Sequence, residues 1–198
     1  MAIIRTLNGD ISANQLGVTY SHDHIYCIPP YWAERQDDDL LLDDPQASER
    51  ELSDFRQAGG NAIYDATAPD YGRQAAAVAA MAQRQQLHII ATAGFNKGFL
   101  WSSQRPGTAQ TFAEWIERSD VDELVEHVCR EVTEGIEGTA HRAGVVKCGT
   151  GYNAISPLEY KTMEVIVRAQ QRTGAPMHSH TEMGTMGLEQ ARIDRKSV

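Results

Sequence analysis

One pattern recurs along the chain: a short apolar run, a glycine-rich or polar turn, then a stretch whose apolar residues return with helical spacing. That order predicts a strand followed by a helix. Strands are expected at Val18 to Tyr26, Asn61 to Ala66, His88 to Ala93, Gly144 to Cys148 and Pro176 to Thr181. Several are apolar on both faces, as parallel strands covered by helices require. Ser48 to Ala58 predicts a helix closed by Gly59 and Gly60, because glycine takes a left-handed C-terminal turn without a Cβ penalty. Val121, Leu124, Val125, Val128 and Val132 form an apolar stripe after Ser119, the expected cap. The clearest helix start is Ser156, Pro157, Glu159, with a capping hydroxyl, a proline at the first helical position and a carboxylate able to reach back. That helix is expected to run to about Arg172 and to end at Gly174.

Five βα units joined by right-handed crossovers lead either to an open doubly wound sheet or to a closed (β/α)8 barrel. The phosphate-cradling glycine fingerprints that would favour the open sheet are missing, so the α/β barrel is the expected fold. No linker or low-complexity stretch divides the chain, and residues 1–198 read as one domain.

Composition removes several classes of function. With 27 acidic against 18 basic residues the formal charge is −9, which disfavours a nucleic-acid partner. A hydrophobic fraction of 41% with 23% charged residues is that of a chain that buries a core rather than a disordered one. Met1 to Asn8 holds no long apolar leader, and no span near ~20 apolar residues follows, so a cytoplasmic protein without a membrane partner is expected. Cys27, Cys129 and Cys148 are scattered without metal-type spacing, which suits free thiols in a reducing compartment.

The chemistry lies in the strands. His22 and His24 stand two apart, so a strand's period of two puts both imidazoles on one face, where they can share a metal or simply end the strand as polar residues. Lys147 ends the run Ala143, Gly144, Val145, Val146 and alternates onto the same face as Val145. An ammonium inside a barrel loses its solvation and must deprotonate, find a carboxylate or react, unless it snorkels at the strand end. A neutral lysine can take up carbon dioxide as a carbamate whose oxygens bridge two metals. In the fifth strand His178 and His180 again alternate onto one face, and the strands' C-terminal ends would meet at a single barrel mouth. His88, His127 and His141 sit in a helix or at strand entries and are read as structural.

These residues resemble the phosphotriesterase-like branch of the amidohydrolase superfamily, which includes lactonases and phosphotriesterase homology proteins. The likeness is carried by Leu16 to His24, Gly59 to Thr67, Ala93 to Phe95, Gly144 to Gly149 and Gly174 to Thr181. It implies two divalent ions, zinc first among them: His22 and His24 on the more buried one, carboxylated Lys147 bridging, His180 on the second, and His178 as a neighbour that orients a ligand or meets substrate. It also implies a bridging hydroxide that attacks a carbonyl or phosphorus centre. The expected substrate is a small molecule, a lactone or phosphorylated lactone first and an organophosphate or carboxylic ester second. Asn96 and Lys97 after the third strand, Tyr152 after the fourth, and Arg73 are candidates to contact it.

The family's remaining ligands, a histidine on the sixth strand and an aspartate on the eighth, have no counterpart, since Thr181 to Val198 leaves 18 residues for one turn and part of a helix. A full barrel takes about 250 residues. The expectation is an incomplete barrel of about five units, impaired or inactive alone. Its open edges favour self-association or a complementing C-terminal fragment, as a non-catalytic remnant or half of a split barrel.

Overall fold

The computed structural model describes residues 3–32 and 41–196. Residues 1–2, 33–40 and 197–198, included in the single-domain reading, lie outside them.

The chain opens with an antiparallel hairpin, β1 (Ile3–Thr6) and β2 (Gly9–Ser12), which the apolar pattern did not predict. Then come β3 (Thr19–Asp23), α1 (Pro45–Gln57), β4 (Ala62–Asp65), α2 (Ala75–Gln85), β5 (His88–Ile90) and β6 (Thr92–Gly94). The order closes with α3 (Phe112–Arg118), α4 (Val121–Thr133), β7 (Val145–Thr150), α5 (Pro157–Thr173), β8 (Met177–Thr181) and α6 (Gly187–Lys196). All five expected strands are present. The third is divided at Ala91 into β5, which pairs with β4, and β6, which pairs with β7. The parallel order β3-β4-β5 continues as β6-β7-β8, each strand beside its successor in sequence. This is an α/β fold in which successive βα units lie side by side.

Helix ends follow local chemistry. Asp44 caps α1 by accepting from the backbone N–H of Gln46 and Ala47, so the helix starts at Pro45, ahead of the expected Ser48. The cap of α4 is Asp120, not Ser119: Glu123 reaches back to the Asp120 N–H at 3.0 Å. Helix α5 is capped by Ser156 at its start and by left-handed Gly174 (φ 73°) at its end, as predicted.

The hairpin covers one end of the strands. Leu7 N–H donates to Ile89 O at 2.8 Å, His141 Nδ1 meets Leu7 O at 2.9 Å, and Arg5 donates to Val132 O at 2.6 Å. The core lies between strands and helices, where Ile63, Ile89, Val146, Cys148, Met163 and Ile166 are each at most 2% exposed. Burial is uneven across the sheet. Strand β4 is buried throughout, β3 is largely exposed, and β8 is intermediate along its length.

Candidate active site

The site is built where β3, β4, β7 and β8 end. Against β4, Tyr20 pairs with Ile63 and Asp23 with Asp65, so β3 carries a bulge that holds His22. The bulge keeps His22 and His24 together, with ring centroids 5.5 Å apart. From the far strand His178 comes within 5.2 Å of the His22 ring, and Tyr64 lies 5.2 Å from His178 and 6.2 Å from His22. Histidines 156 residues apart in sequence thus share one cluster.

Burial governs their charge. Desolvation, with the neighbouring Lys147 charge next, lowers His24 to about 3 and His178 to about 4, and His22 is also lowered. These imidazoles are neutral at physiological pH. Thr67 Oγ1 donates to Asp65 Oδ1 at 2.5 Å and lies 2.9 Å from His24 Nδ1. With the hydroxyl proton already given, that oxygen can only accept, which puts the His24 proton on Nδ1 and a lone pair on Nε2.

Lys147 is 1% exposed and donates to Ala66 O at 2.7 Å. Burial lowers its pKa to about 8 against the opposing charges of Asp70 and Asp65. Those two carboxylates are themselves fully enclosed, and burial raises each to about 6. Asp70 Oδ2 accepts from the Asn96 N–H at 2.8 Å and the Trp101 indole at 2.6 Å, which ties the segment after β6 to the segment after β4.

His180 stands at the edge of the cluster. Its Nε2 lies 2.9 Å from Glu182 Oε2, and Lys97 donates to that same oxygen while approaching His180 Nε2 at 3.4 Å. Burial lowers His180, with Glu182 opposing, and the Lys97 hydrogen bond lowers Glu182. Gln190 of α6 donates to His180 O at 2.9 Å and to Thr150 Oγ1 at 2.6 Å, pinning the ends of β7 and β8.

The sequence-predicted residues divide accordingly. His22, His24, Lys147, His178, His180 and Lys97 are gathered at the strand ends. Arg73 is not: its guanidinium is buried between Glu131 (2.6 Å), Glu137 (2.9 Å) and Thr92 O (2.5 Å), and only its buried Nε lacks a hydrogen-bond partner. It borders a separate cleft of about 310 Å³ with Arg105, Trp115 and His127. Asn96 is 4% exposed and serves through its backbone, and Tyr152 is 64% exposed on the loop after β7; among the described residues no contact joins either side chain to the histidines. His88 opens β5, His127 lies in α4 and His141 holds the hairpin. Asp65, Thr67, Asp70 and Glu182 were missed. Asp65 and Thr67 had a usable signal, two polar residues at alternate positions closing an apolar run.

The residue types suit a divalent cation, since zinc takes neutral imidazole and a lysine near neutrality is open to carbamylation. Their placement is not that of a finished centre. Among the described residues no three or more His, Cys, Asp or Glu side chains form a group able to hold a metal. The physical reason is visible: His180 Nε2 is engaged by Glu182, and Lys147 is turned to a carbonyl.

A profile of the Phosphotriesterase family matches residues 2–197. The phospho-furanose lactonase of Mycoplasmopsis agalactiae is 30% identical over 202 residues, covering 96% of this chain and 54% of that protein. The crystal structure of the lactonase Lmo2620 from Listeria monocytogenes superposes with a TM-score of 0.95 at 51% identity, over 99% of this chain and 62% of that one. The phosphotriesterase homology protein from Escherichia coli, crystallised with phosphate in its active site, gives 0.82 at 26% identity, over 92% and 59%. The chain therefore spans little more than half the length of these relatives. Among the described residues no helix is long and apolar enough to cross a membrane.

Proposed function

Because the chain belongs to the phosphotriesterase family, we propose that it works in the hydrolysis of a lactone, a phosphorylated lactone foremost, with organophosphate or carboxylic esters as the second substrate class. The observation that carries this reading is the gathering of His22, His24, His178 and the buried Lys147 from three separate strands into one cluster of neutral imidazoles around a lysine. Relatives named as lactonases supply the substrate class.

Divalent cations, zinc by the donor chemistry, would be held by His22, His24, His180 and a carbamate of Lys147. When bound, such ions lower the pKa of water and polarise an oxygen under attack. The chain's own residues prepare that chemistry. Thr67 and Asp65 keep the His24 lone pair on Nε2, and burial keeps the other imidazoles unprotonated. Burial pulls Lys147 down to about 8, which favours the neutral amine, the form that captures carbon dioxide. Lys97 brings a positive charge to the edge of the cluster, where an anionic substituent would arrive.

The relatives' additional length bears on how the chain acts. Alone it is expected to hold zinc poorly. As a second reading, favoured by the exposed β3 edge, it is the half of a split barrel that works with a complementing polypeptide in the cytoplasm. The test is hydrolysis of a phosphorylated furanose lactone and an aryl phosphotriester by the chain supplemented with three further βα units, with zinc and bicarbonate varied. Lactone turnover that requires both and falls at least a hundredfold in Lys147→Ala supports the reading. Turnover indifferent to zinc, or equal in the variant, would falsify it.

A further inference from the structure

Away from the strand ends, the cleft bordered by Arg73 holds a second guanidinium, that of Arg105. Arg105 lies in the loop between β6 and α3, where its backbone N–H donates to Gln110 O at 2.9 Å and its carbonyl accepts from the Thr108 N–H at 3.1 Å. That closed turn sets the guanidinium over the Trp115 ring, 3.9 Å from its centroid. Trp115 is fixed in its turn, tilted against Phe95 at 5.7 Å and edge-on to His127 at 5.0 Å. An aromatic ring engages one face of an arginine and leaves the N–H groups around its rim without acceptors. Among the described residues no carboxylate pairs with Arg105, and burial alone lowers its pKa.

The other charges of the cleft are already matched. Arg73 donates to both oxygens of Glu131 and to Glu137 Oε1. His127, lowered by burial, is neutral at physiological pH. The space of about 310 Å³ is at the small end of ligand cavities, and Ile28, Pro69, Pro106 and Phe112 give it apolar walls. We propose that this cleft is a second ligand site, separate from the strand-end cluster, and that it takes a small monocarboxylate with a flat apolar body. The walls receive the body, and the rim of the Arg105 guanidinium receives the carboxylate as a planar two-pronged partner. A phosphate dianion is the poorer ligand, because it brings twice the charge towards Glu131 and Glu137. A neutral molecule of the same shape is poorer too, since it desolvates Arg105 and gives it no acceptor.

Nothing in this site depends on the chemistry of the strand ends, so the test is one of binding alone. Benzoate is titrated into the full chain, with benzamide and inorganic phosphate in separate arms. The readouts are heat and the Trp115 indole N–H resonance, assigned by its loss in Trp115→Phe. Benzoate should bind and move that resonance, and benzamide and phosphate should bind at least about tenfold more weakly. Arg105→Met should lower benzoate affinity by about tenfold or more. Arg105→Lys keeps the charge without the planar rim and should recover only part of the loss; it also provides the comparison should Arg105→Met fold poorly. Benzamide or phosphate bound as tightly as benzoate, parent-like affinity in either Arg105 variant, or no benzoate binding overturns the site. So does a Trp115 resonance that moves with chain concentration and not with benzoate, which would assign the cleft to a second copy of the chain.

Discussion

Lys147 concentrates the physics of the site in one side chain. Its folded pKa near 8 lies below the ordinary 10.5, so the unfolded chain binds the extra proton between those values. Stability from this group is therefore present at high pH and lost as pH falls through 8. Cys27 and Cys148, raised by burial to about 12, act in the opposite sense above pH 9, so the parent alone gives a blurred profile. The difference between parent and Lys147→Met isolates the lysine. It should favour the parent by about 1 kcal/mol more at pH 9 than at pH 8, in urea titrations run in carbonate-free buffer with chelator. A flat difference would mean that the ammonium is solvated. The sequence made Lys147 legible, since a cation ending an apolar run had to be accounted for. Alternation did the same for both histidine pairs. Arg73 misled because its partners, Glu131 and Glu137, lie 58 and 64 residues away, and no local pattern records such a pairing. Glu182 escaped for the converse reason: adjacent to a candidate ligand, it looked like an ordinary turn carboxylate.

Elements were legible where the signal is local and chemical. Ser156, Pro157 and Gly174 bound α5 through a cap, a fixed φ and a left-handed turn, each a property of one residue. The hairpin β1 and β2 was missed although Asn8-Gly9 is a strong turn signal, because Ile3 and Ile4 make too short an apolar run to stand out. The bulge in β3 could not be read at all, since it exists only in the register against β4. Register also explains Gly94, whose backbone (φ 106°) lets β6 approach β7: a Cβ there would lie 2.4 Å from Lys147 O. Gly94→Ala should cost more than 2 kcal/mol and move the strand that carries Lys147. Gly138→Ala, also left-handed (φ 78°) but with nothing within 4 Å, should cost about 1 kcal/mol, the backbone penalty alone. Matching denaturation midpoints for the two variants would remove the close-packing explanation.

At the scale of the whole molecule, β3 is paired only with β4 and β8 only with β7 among the described residues, so the parallel array has two open edges. On and beside them Val18 (64% exposed), Tyr20 (53%), Met183 (82%) and Leu188 (73%) meet solvent. Unpaired backbone beside apolar side chains is what drives strands to pair with another chain. The relatives extend well past the matched region, this chain covering 54–62% of their lengths, so covering those edges is the natural task of further βα units. Two occupants compete, a second copy and a complementing polypeptide, and they have opposite dependences on what else is present. Alone, the chain should associate with itself over micromolar concentrations in sedimentation velocity. A Val18→Lys/Tyr20→Lys double variant should remain monomeric at least tenfold higher, since a lysine at an edge opposes strand addition. Adding a polypeptide of three βα units should suppress the parent's self-association stoichiometrically and raise its affinity for zinc. Self-association that survives both the lysines and the added units would place the contact away from these edges and remove the split-barrel reading.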